Sequence, residues 1–272
     1  MSAGWILPWT KVNSPEFWIE REKSKGRIFT LFQVAIELHF SAFHSTVMQN
    51  RDFLRNIARR YPLTERIIQL PSREIAMTVV EEPDSFLETL SKEEHNGTLR
   101  LPYWIYLWSS SIGLAHHLHL DARLAGQRIL EVGCGFGLAG IVGCQQGGKV
   151  LFTDCEMDAL LLARYNVWQH GCKDRAAFAQ MDWNAPCVSG KFSFILASDV
   201  IYEEKNWQSV IALLQKYLAA DGEAMISEPS RSNTAGFLSL LEFCGFSHEK
   251  QVYLVFPEER LSTISVYCVK RT

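Results

Sequence analysis

The stretch RILEVGCGFGLAG, residues 128–140, joins a run of strand-forming residues to a group of closely spaced glycines. Gly133, Gly135, Gly137 and Gly140 all fall within the last eight positions of this stretch. A backbone without side chains can turn tightly and approach a bound molecule closely. The stretch therefore predicts a strand that ends in a loop turned against a small molecule, with a helix after the loop.

The glycines fit two ligand-binding patterns. Residues 135–140 fit the dinucleotide pattern GxGxxG, and residues 131–137 fit the acidic-x-GxGxG loop that binds S-adenosylmethionine (SAM). A dinucleotide presents an anionic pyrophosphate, whereas SAM presents a cationic sulfonium and a cationic ammonium group. Glu131 would attract the cations and repel the pyrophosphate, a difference of a few kcal/mol at an effective dielectric of about 20. The acidic residue favours SAM, and an NAD(P)-binding oxidoreductase is the alternative.

Beyond residue 100, strand-like and helix-like segments alternate along the chain. Such alternation predicts a doubly wound, mostly parallel, seven-stranded Rossmann-like α/β sheet with helices on both faces. Two adjacent strand-like runs, 247–256 and 261–269, predict an antiparallel hairpin at one edge. The other strands are predicted at 128–132, 149–153, 176–180, 192–198 and 223–227, and the helices at 109–120, 138–146, 157–170, 206–218 and 233–244.

Polar and aromatic residues follow several of the predicted strands, where a ligand of a doubly wound sheet is bound. Asp154 closes the second strand and can accept hydrogen bonds from both ribose hydroxyls. Asp182 and Trp183 follow the third strand, where Asp182 can accept from an adenine amine and Trp183 can cover the ring. Ser198, Asp199 and Tyr202 follow the fourth strand. The candidate cofactor-binding residues are Trp108, Glu131, Gly133, Gly135, Gly137, Asp154, Asp182, Trp183 and Ser198, and the candidate catalytic residues are Asp199 and Tyr202.

In this order, these motifs resemble those of the class I (seven-β-strand) SAM-dependent methyltransferases. LPYWIYLWSSSIGLAHHL (101–118) and SEPSR (227–231) are similar to segments of the lysine methyltransferases that act on the electron-transfer-flavoprotein β subunit and of their nicotinamide N-methyltransferase-like relatives. Three positions depart from the pattern of that group: Ser109 replaces a proline, and Glu228 and Ser230 replace the Asp and Gly of Asp-Pro-Gly-Arg.

The resemblance implies an N-methyltransferase that transfers methyl from SAM to a protein lysine by in-line displacement and releases S-adenosylhomocysteine. A lysine must first lose its proton, which costs roughly 4 to 5 kcal/mol at pH 7 from an ordinary pKa near 10.4. Asp199 and Tyr202 would then orient the amine, and Tyr103, Trp104 and Trp108 would line the channel. A small-molecule N-methyltransferase and a catalytically inactive SAM-binding scaffold are the further alternatives.

The part of the chain before residue 98 has a different pattern. Apolar residues recur at helical spacing over 28–61, REIAMTVVEE (73–82) has strand character, and HNGT (95–98) has the composition of a linker. The sequence therefore predicts an N-terminal helical extension with a short strand over 1–97 and a methyltransferase domain over 98–272.

Composition limits the possible partners. The net charge of -3 gives no reason to expect nucleic-acid binding, and no apolar run is long enough to cross a bilayer. The seven cysteines form no CxxC pair, which predicts a cytoplasmic protein with reduced thiols. His116, His117 and His119 have no cysteine or carboxylate at matching spacing, so the sequence predicts no metal site. We expect a monomer with a protein substrate, or with a small-molecule acceptor.

Overall fold

The computed structural model describes residues 6–7, 50–93, 102–257 and 261–272. Within these ranges the strands are β1 (Ile6–Leu7), β2 (Leu63–Leu70), β3 (Arg73–Val80), β4 (Arg128–Val132), β5 (Lys149–Asp154), β6 (Ala176–Gln180), β7 (Phe192–Ser198), β8 (Leu218–Glu228), β9 (Phe246–Val255) and β10 (Ser262–Arg271). The helices are α1 (Asn50–Ala58), α2 (Pro83–Glu93), α3 (Ser109–Leu118), α4 (Leu138–Gln145), α5 (Met157–Gln169), α6 (Trp207–Tyr217) and α7 (Thr234–Phe243).

The main sheet has the strand order β1-β6-β5-β4-β7-β8-β10-β9. Strands β4 to β8 pair in parallel, and β10 pairs antiparallel with both β8 and β9. From β4 the chain moves outward to β5 and β6 on one side, and later to β7 and β8 on the other. The strand order therefore reverses at β4, and the carboxyl ends of β4 and β7 form the crevice where doubly wound sheets bind ligands.

Both faces of this sheet are buried. Ile129 and Leu130, neighbours in β4, belong to two different hydrophobic clusters because successive side chains of a strand point to opposite faces. Helices α3, α4 and α5 cover the first cluster, and α6 and α7 cover the second. The predicted doubly wound sheet and its antiparallel C-terminal hairpin are confirmed, with the two-residue strand β1 added to one edge.

Residues 50–93 pack against the same core as the sheet. Ile57 of α1 and Met77 of β3 are fully buried in the first hydrophobic cluster. The buried side chain of Asn166, on α5, accepts from the Thr78 N–H (2.9 Å) and donates to the Thr78 carbonyl (3.0 Å) and the Phe136 carbonyl (3.1 Å). The β2–β3 hairpin is thereby bonded to the helix beside the glycine loop.

The prediction of a single short strand before residue 98 needs correction. The structure has two eight-residue strands there, β2 and β3. Strand β3 lies where the strand was predicted, but β2 was missed. In LTERIIQL the two buried residues, Ile68 and Leu70, alternate with the exposed Ile67 and Gln69, as in a strand with one buried face. Of the predicted helical run over 28–61, residues 28–49 lie outside the described residues, and Asn50–Ala58 is helical as predicted. The predicted linker over 95–98 also lies outside the described residues. The predicted boundary at residue 98 stays a prediction.

Candidate functional site

The loop after β4 adopts backbone conformations that favour glycine. Gly133, Gly135 and Gly137 have φ angles of 64°, 50° and 82°, in the left-handed region where a side chain would be strained. Gly137 also caps the N-terminus of α4. The three glycines thus turn the chain from the strand into the helix at the carboxyl edge of the sheet, as the sequence predicted.

Glu131 lies beneath this loop and is 2% exposed. Its carboxylate occupies the space that a side chain on Gly140 would need, since a Cβ there would come within 2.3 Å of Oε2. Oε2 has no hydrogen-bond partner among the described residues. Burial raises the pKa of Glu131 to about 8, and the Gly140 N–H offsets only part of that rise. The sequence predicts an anion here, whereas burial favours the protonated carboxyl group near neutral pH.

Asp154 ends β5 and connects it to the glycine loop. Its Oδ2 accepts a hydrogen bond from the Gly135 N–H (2.9 Å), and its Oδ1 accepts from the Glu156 N–H (3.0 Å). The side chain is 6% exposed, and burial raises the pKa of Asp154 despite these backbone donors. A carboxylate has about four acceptor positions, so two bonds leave capacity for a hydroxyl donor.

The two residues after β6 differ in their surroundings. Asp182 is exposed, and its Oδ1 accepts from the backbone N–H (2.8 Å) and the side-chain amide (2.9 Å) of Asn184. Trp183 is half-buried, and its ring lies 3.1 Å from where a Cβ on Gly133 would be. Trp183 therefore lies over the first glycine of the loop, and Asp182 shapes the turn that carries it.

Asp199 follows β7 in a left-handed conformation, with φ of 56°, and is 9% exposed. Its Oδ1 forms an ion pair with the guanidinium of Arg231, and its Oδ2 accepts from the Ser110 hydroxyl (3.2 Å). Arg231 follows β8, and Ser110 lies in the first turn of α3. Residues from α3 and from the loop after β8 thus bind the carboxylate that follows β7, at the edge where the glycine loop lies.

Aromatic side chains surround the same edge. Tyr202 and Tyr103 meet edge to face with ring centroids 6.0 Å apart. Trp108 donates its indole N–H to the Tyr103 carbonyl (3.0 Å) and packs against Tyr106 at 5.2 Å between centroids. Burial raises the pKa of Tyr202, so its phenol stays neutral near pH 7. Ser198, the last residue of β7, is half-buried and pairs with Ser227 of β8.

The pairing of Asp199 with Arg231 and Ser110 is a feature that sequence analysis missed. Arg231 stands in the quoted segment SEPSR, and Ser110 adjoins Trp108, but neither was assigned a role. The available signal was the sheet itself, because β7 and β8 are parallel neighbours and their carboxyl ends meet. A basic residue after one strand and an acidic residue after the next are therefore candidates for an ion pair.

A profile of the family described as lysine methyltransferase matches residues 101–243, more than half of the 272 residues. The chain belongs to the lysine methyltransferase family. This is a family of SAM-dependent methyltransferases, and membership in it decides between the two interpretations of the glycines against the oxidoreductase.

Curated relatives match the central part of the chain. The histidine protein methyltransferase 1 homolog of Dictyostelium discoideum is 30% identical over 127 residues, which cover 44% of this chain and 41% of that protein. The mouse electron transfer flavoprotein beta subunit lysine methyltransferase is 28% identical over 139 residues, covering 50% and 53% respectively. The match thus spans about half the length of these two relatives.

A solved structure shows the same fold. The ribosomal protein L11 methylase of Lactobacillus delbrueckii subsp. bulgaricus superposes with a TM-score of 0.52 at 20% sequence identity, over 76% of this chain and 99% of that one. The architecture of this lysine methyltransferase family member is therefore the Rossmann-like methyltransferase fold. In the parts of the chain that the structure describes, no helix has both the length and the hydropathy to span a bilayer.

Proposed function

We propose that this protein is a SAM-dependent N-methyltransferase that methylates a nitrogen of a protein side chain, most simply a lysine. The observation that carries the proposal is the arrangement at the carboxyl edge of the sheet. The glycine loop follows β4, Asp154 ends the neighbouring strand on one side, and Asp199 and Tyr202 follow the neighbouring strand on the other. Family membership supports the reaction class. The named acceptors of two relatives, lysine and histidine, support a protein nitrogen as the nucleophile.

The residues around the loop fit SAM, which when bound supplies a methyl group on a cationic sulfonium. The buried Oε2 of Glu131, which has no partner in the described part of the chain, would accept from a cationic donor. Such a donor would also favour the ionised carboxylate by charge. Asp154 would accept from the ribose hydroxyls, while Trp183 would cover an aromatic base. Main-chain groups at Gly133–Gly137 can come close because no side chain intervenes.

On the acceptor side, the proposed task of the protein is to hold a neutral amine in line and to exclude water. Tyr103, Trp108 and Tyr202 would form an aromatic wall that disfavours a charged ammonium by desolvation. An unpaired carboxylate at Asp199 would do the opposite, because a neighbouring anion raises the pKa of an amine. Its ion pair with Arg231 cancels most of that charge, so Asp199 can accept a hydrogen bond without holding the acceptor protonated.

The first experiment is a cofactor titration that follows thermal unfolding. We expect S-adenosylhomocysteine to stabilise the protein and NAD to have no effect. Asp154→Ala should weaken binding by about one to two powers of ten, since a hydrogen bond to a charged group contributes roughly 1.5 to 3 kcal/mol. Stabilisation by NAD and not by S-adenosylhomocysteine would refute the proposal.

The second experiment identifies the acceptor. A cell extract is incubated with tritiated SAM and the protein, and the labelled protein fraction is hydrolysed to amino acids. We expect label in methyl-lysine, with label in methyl-histidine as the outcome that changes the substrate class. Asp199→Ala should retain cofactor binding and lose most transfer. Label confined to small molecules would favour the small-molecule enzyme, and binding without any transfer would favour an inactive scaffold.

The proposal extends to location and assembly. All seven cysteines lie in the described ranges and are free thiols, which supports a reducing compartment such as the cytoplasm. We place the enzyme there as a monomer whose partner is its protein substrate, without a nucleic acid or a membrane.

A further inference from the structure

Three metal-ligating side chains meet at a distance from the methyl-transfer edge. His117 on α3, Glu223 on β8 and Cys268 on β10 bring their ligand atoms within 4.8 Å of one another. Glu223 pairs with Phe194, near the amino end of β7, whereas Asp199 follows the carboxyl end of that strand. The cluster therefore lies toward the opposite end of the sheet from Asp199. Spacing along the sequence does not reveal it, because the three residues come from three separate elements.

A hydrogen-bond chain fixes the tautomer of His117. The Tyr253 hydroxyl donates to Oε1 of Gln251 (2.9 Å), so its hydrogen is already used. The 2.8 Å contact between Tyr253 and Nδ1 of His117 must then have Nδ1–H as the donor. In the neutral imidazole, Nδ1 then carries the only ring proton. Nε2 is left with an unprotonated lone pair, which is the form that binds a metal.

That lone pair faces Cys268. Nε2 of His117 and Sγ of Cys268 are 3.5 Å apart. Zinc bonds to nitrogen at about 2.0–2.1 Å and to sulfur at about 2.3 Å, so tetrahedral coordination places two such ligands about 3.5 Å apart. Cys268 lies on β10, whose backbone pairs with both β8 and β9. The two donors already have the separation that a shared zinc ion requires.

The third donor is an ionised carboxylate. Glu223 accepts from Arg123 Nη1 (3.1 Å) and Nη2 (3.2 Å), and Lys270 Nζ lies 3.0 Å from its Oε2. Two cations at hydrogen-bond distance are typical partners of a carboxylate anion. A cavity of about 320 Å³ borders the cluster and is lined by His117, Tyr253, Asp121 and Arg123 among others. It offers an entry path for an ion and room for a water ligand.

We propose that this cluster is a zinc site, with His117 Nε2, Cys268 Sγ, a Glu223 oxygen and one water as the four ligands. Nitrogen and thiolate donors together favour zinc over calcium or magnesium. When zinc binds, the Cys268 S–H bond breaks, its proton passes to solvent, and the sulfur lone pair forms the zinc–sulfur bond. The ion would connect α3, β8 and β10, so its role is to stabilise the fold.

The test is zinc titration of the tag-free full chain by calorimetry, with metal analysis after dialysis. We expect one zinc ion per chain and a higher melting temperature with zinc than with a chelator. Tyr253→Phe, which removes the partner that orients His117, should weaken binding by about 10- to 100-fold. Cys268→Ser, which removes a ligand, should weaken it by more than Tyr253→Phe does. Cys187→Ser, which removes an exposed thiol elsewhere, should leave binding unchanged.

Cobalt provides a second readout that does not depend on folding stability. Cobalt(II) bound through a thiolate gives a ligand-to-metal charge-transfer band in the near ultraviolet, and we expect this band in the wild-type chain and not in Cys268→Ser. The proposal is overturned if zinc does not bind stoichiometrically, or if binding is unchanged in Cys268→Ser. In either case the 3.5 Å contact is a thiol hydrogen bond to His117 and nothing more.

Discussion

At the scale of single residues, Glu131 is a buried carboxyl group whose ionisation affects stability, and we propose that it also binds the cofactor. It is buried beneath the glycine loop, and its Oε2 lacks a partner among the described residues. A buried carboxyl group without a partner lowers the stability of the folded state at any pH at which the same group would be ionised in the unfolded chain. A cationic ligand bound next to Glu131 would offset this free-energy cost, and titratable groups with shifted pKa values are common at binding sites.

Glu131→Gln should therefore change how stability depends on pH. The pKa of Glu131 is about 8 in the folded chain, against an ordinary 4.5, so the folded state retains a proton that the unfolded state releases. The free energy of unfolding of the wild type should fall as pH rises from 4.5 to 8, by at most about 4 to 5 kcal/mol at about 1.36 kcal/mol per pKa unit. The variant should lack this fall and bind S-adenosylhomocysteine more weakly.

Urea unfolding at pH 5 and pH 8 measures the effect. Glu204→Gln is the matched control, because Glu204 is exposed and should retain the wild-type pH dependence. If the wild type and Glu131→Gln lose the same amount of stability from pH 5 to pH 8, Glu131 is not the group responsible for the loss.

We predict that removal of the Arg231 guanidinium, which pairs with Asp199, moves the pH profile of transfer. Without the guanidinium, the Asp199 carboxylate would favour the protonated form of the acceptor. In Arg231→Ala the pH midpoint of kcat should rise by about 1 to 3 units, the usual effect of an uncompensated charge within about 4–6 Å. The double variant Asp199→Asn/Arg231→Ala should return the midpoint toward the wild-type value. A midpoint that does not move in Arg231→Ala would mean that Asp199 does not face the acceptor.

At the scale of elements, Gly140 allows α4 to pack closely against the strands beneath it because it has no side chain. A Cβ on Gly140 would come within 2.4 Å of the Phe152 ring as well as 2.3 Å of Glu131 Oε2. A Cβ on Gly143, one turn later in the same helix, would be 3.4 Å from its nearest neighbour. The fourth glycine of the opening motif thus serves helix–strand packing and not a dinucleotide.

The two glycines form a matched pair for mutagenesis. Gly140→Ala should destabilise the protein by about 1 to 3 kcal/mol or more, because overpacking outweighs the better helix propensity of alanine. Gly143→Ala should be neutral or stabilise by up to about 1 kcal/mol. Chemical denaturation of both variants measures this difference, and equal stability of the two would contradict the packing described for α4.

Most elements could be predicted from the sequence because their signals are local. Strand β4 has the predicted bounds, and the C-terminal hairpin differs from its prediction by one or two residues at each end. Strand β2 was missed because its alternating pattern is short and follows a helix-like run. The glycine loop is recognisable from spacing alone. By contrast, the Asp199–Arg231 pair and the ionisation of Glu131 depend on contacts between distant segments and on burial, which spacing does not encode.

At the scale of the whole molecule, the segment before residue 98 is bonded to the body through more than one contact. Arg60 and the Tyr61 hydroxyl bind the two carboxylate oxygens of Asp158 at 2.6 to 2.9 Å, at the start of the helix after Asp154. The Tyr61 ring meets Trp104 edge to face at 5.0 Å, and Trp104 meets Phe136 in the loop at 6.1 Å. Residues 50–93 therefore contact the helix after Asp154 directly and the glycine loop through Trp104.

Asn166→Ala tests whether this segment is needed for stability. The substitution would leave the Thr78 N–H and the carbonyls of Thr78 and Phe136 without their partner, and each buried unpaired group costs about 1 to 3 kcal/mol. We expect a single cooperative unfolding transition at a clearly lower temperature. A chain cut to 98–272 should fail to fold cooperatively. If calorimetry instead shows that this fragment melts like the full chain, residues 50–93 are a dispensable extension.

The position of β10 has a consequence for the order of events during synthesis. Strand β10 inserts between β8 and β9, both of which leave the ribosome before it. Until residues 262–271 emerge, β8 has an open flank and β9 has no neighbour in the sheet. Ser265 of β10 also shares a hydrogen bond with Ser230, next to Arg231. The Asp199 side of the crevice therefore cannot be completed until residues 262–271 have been synthesised, long after the glycine loop.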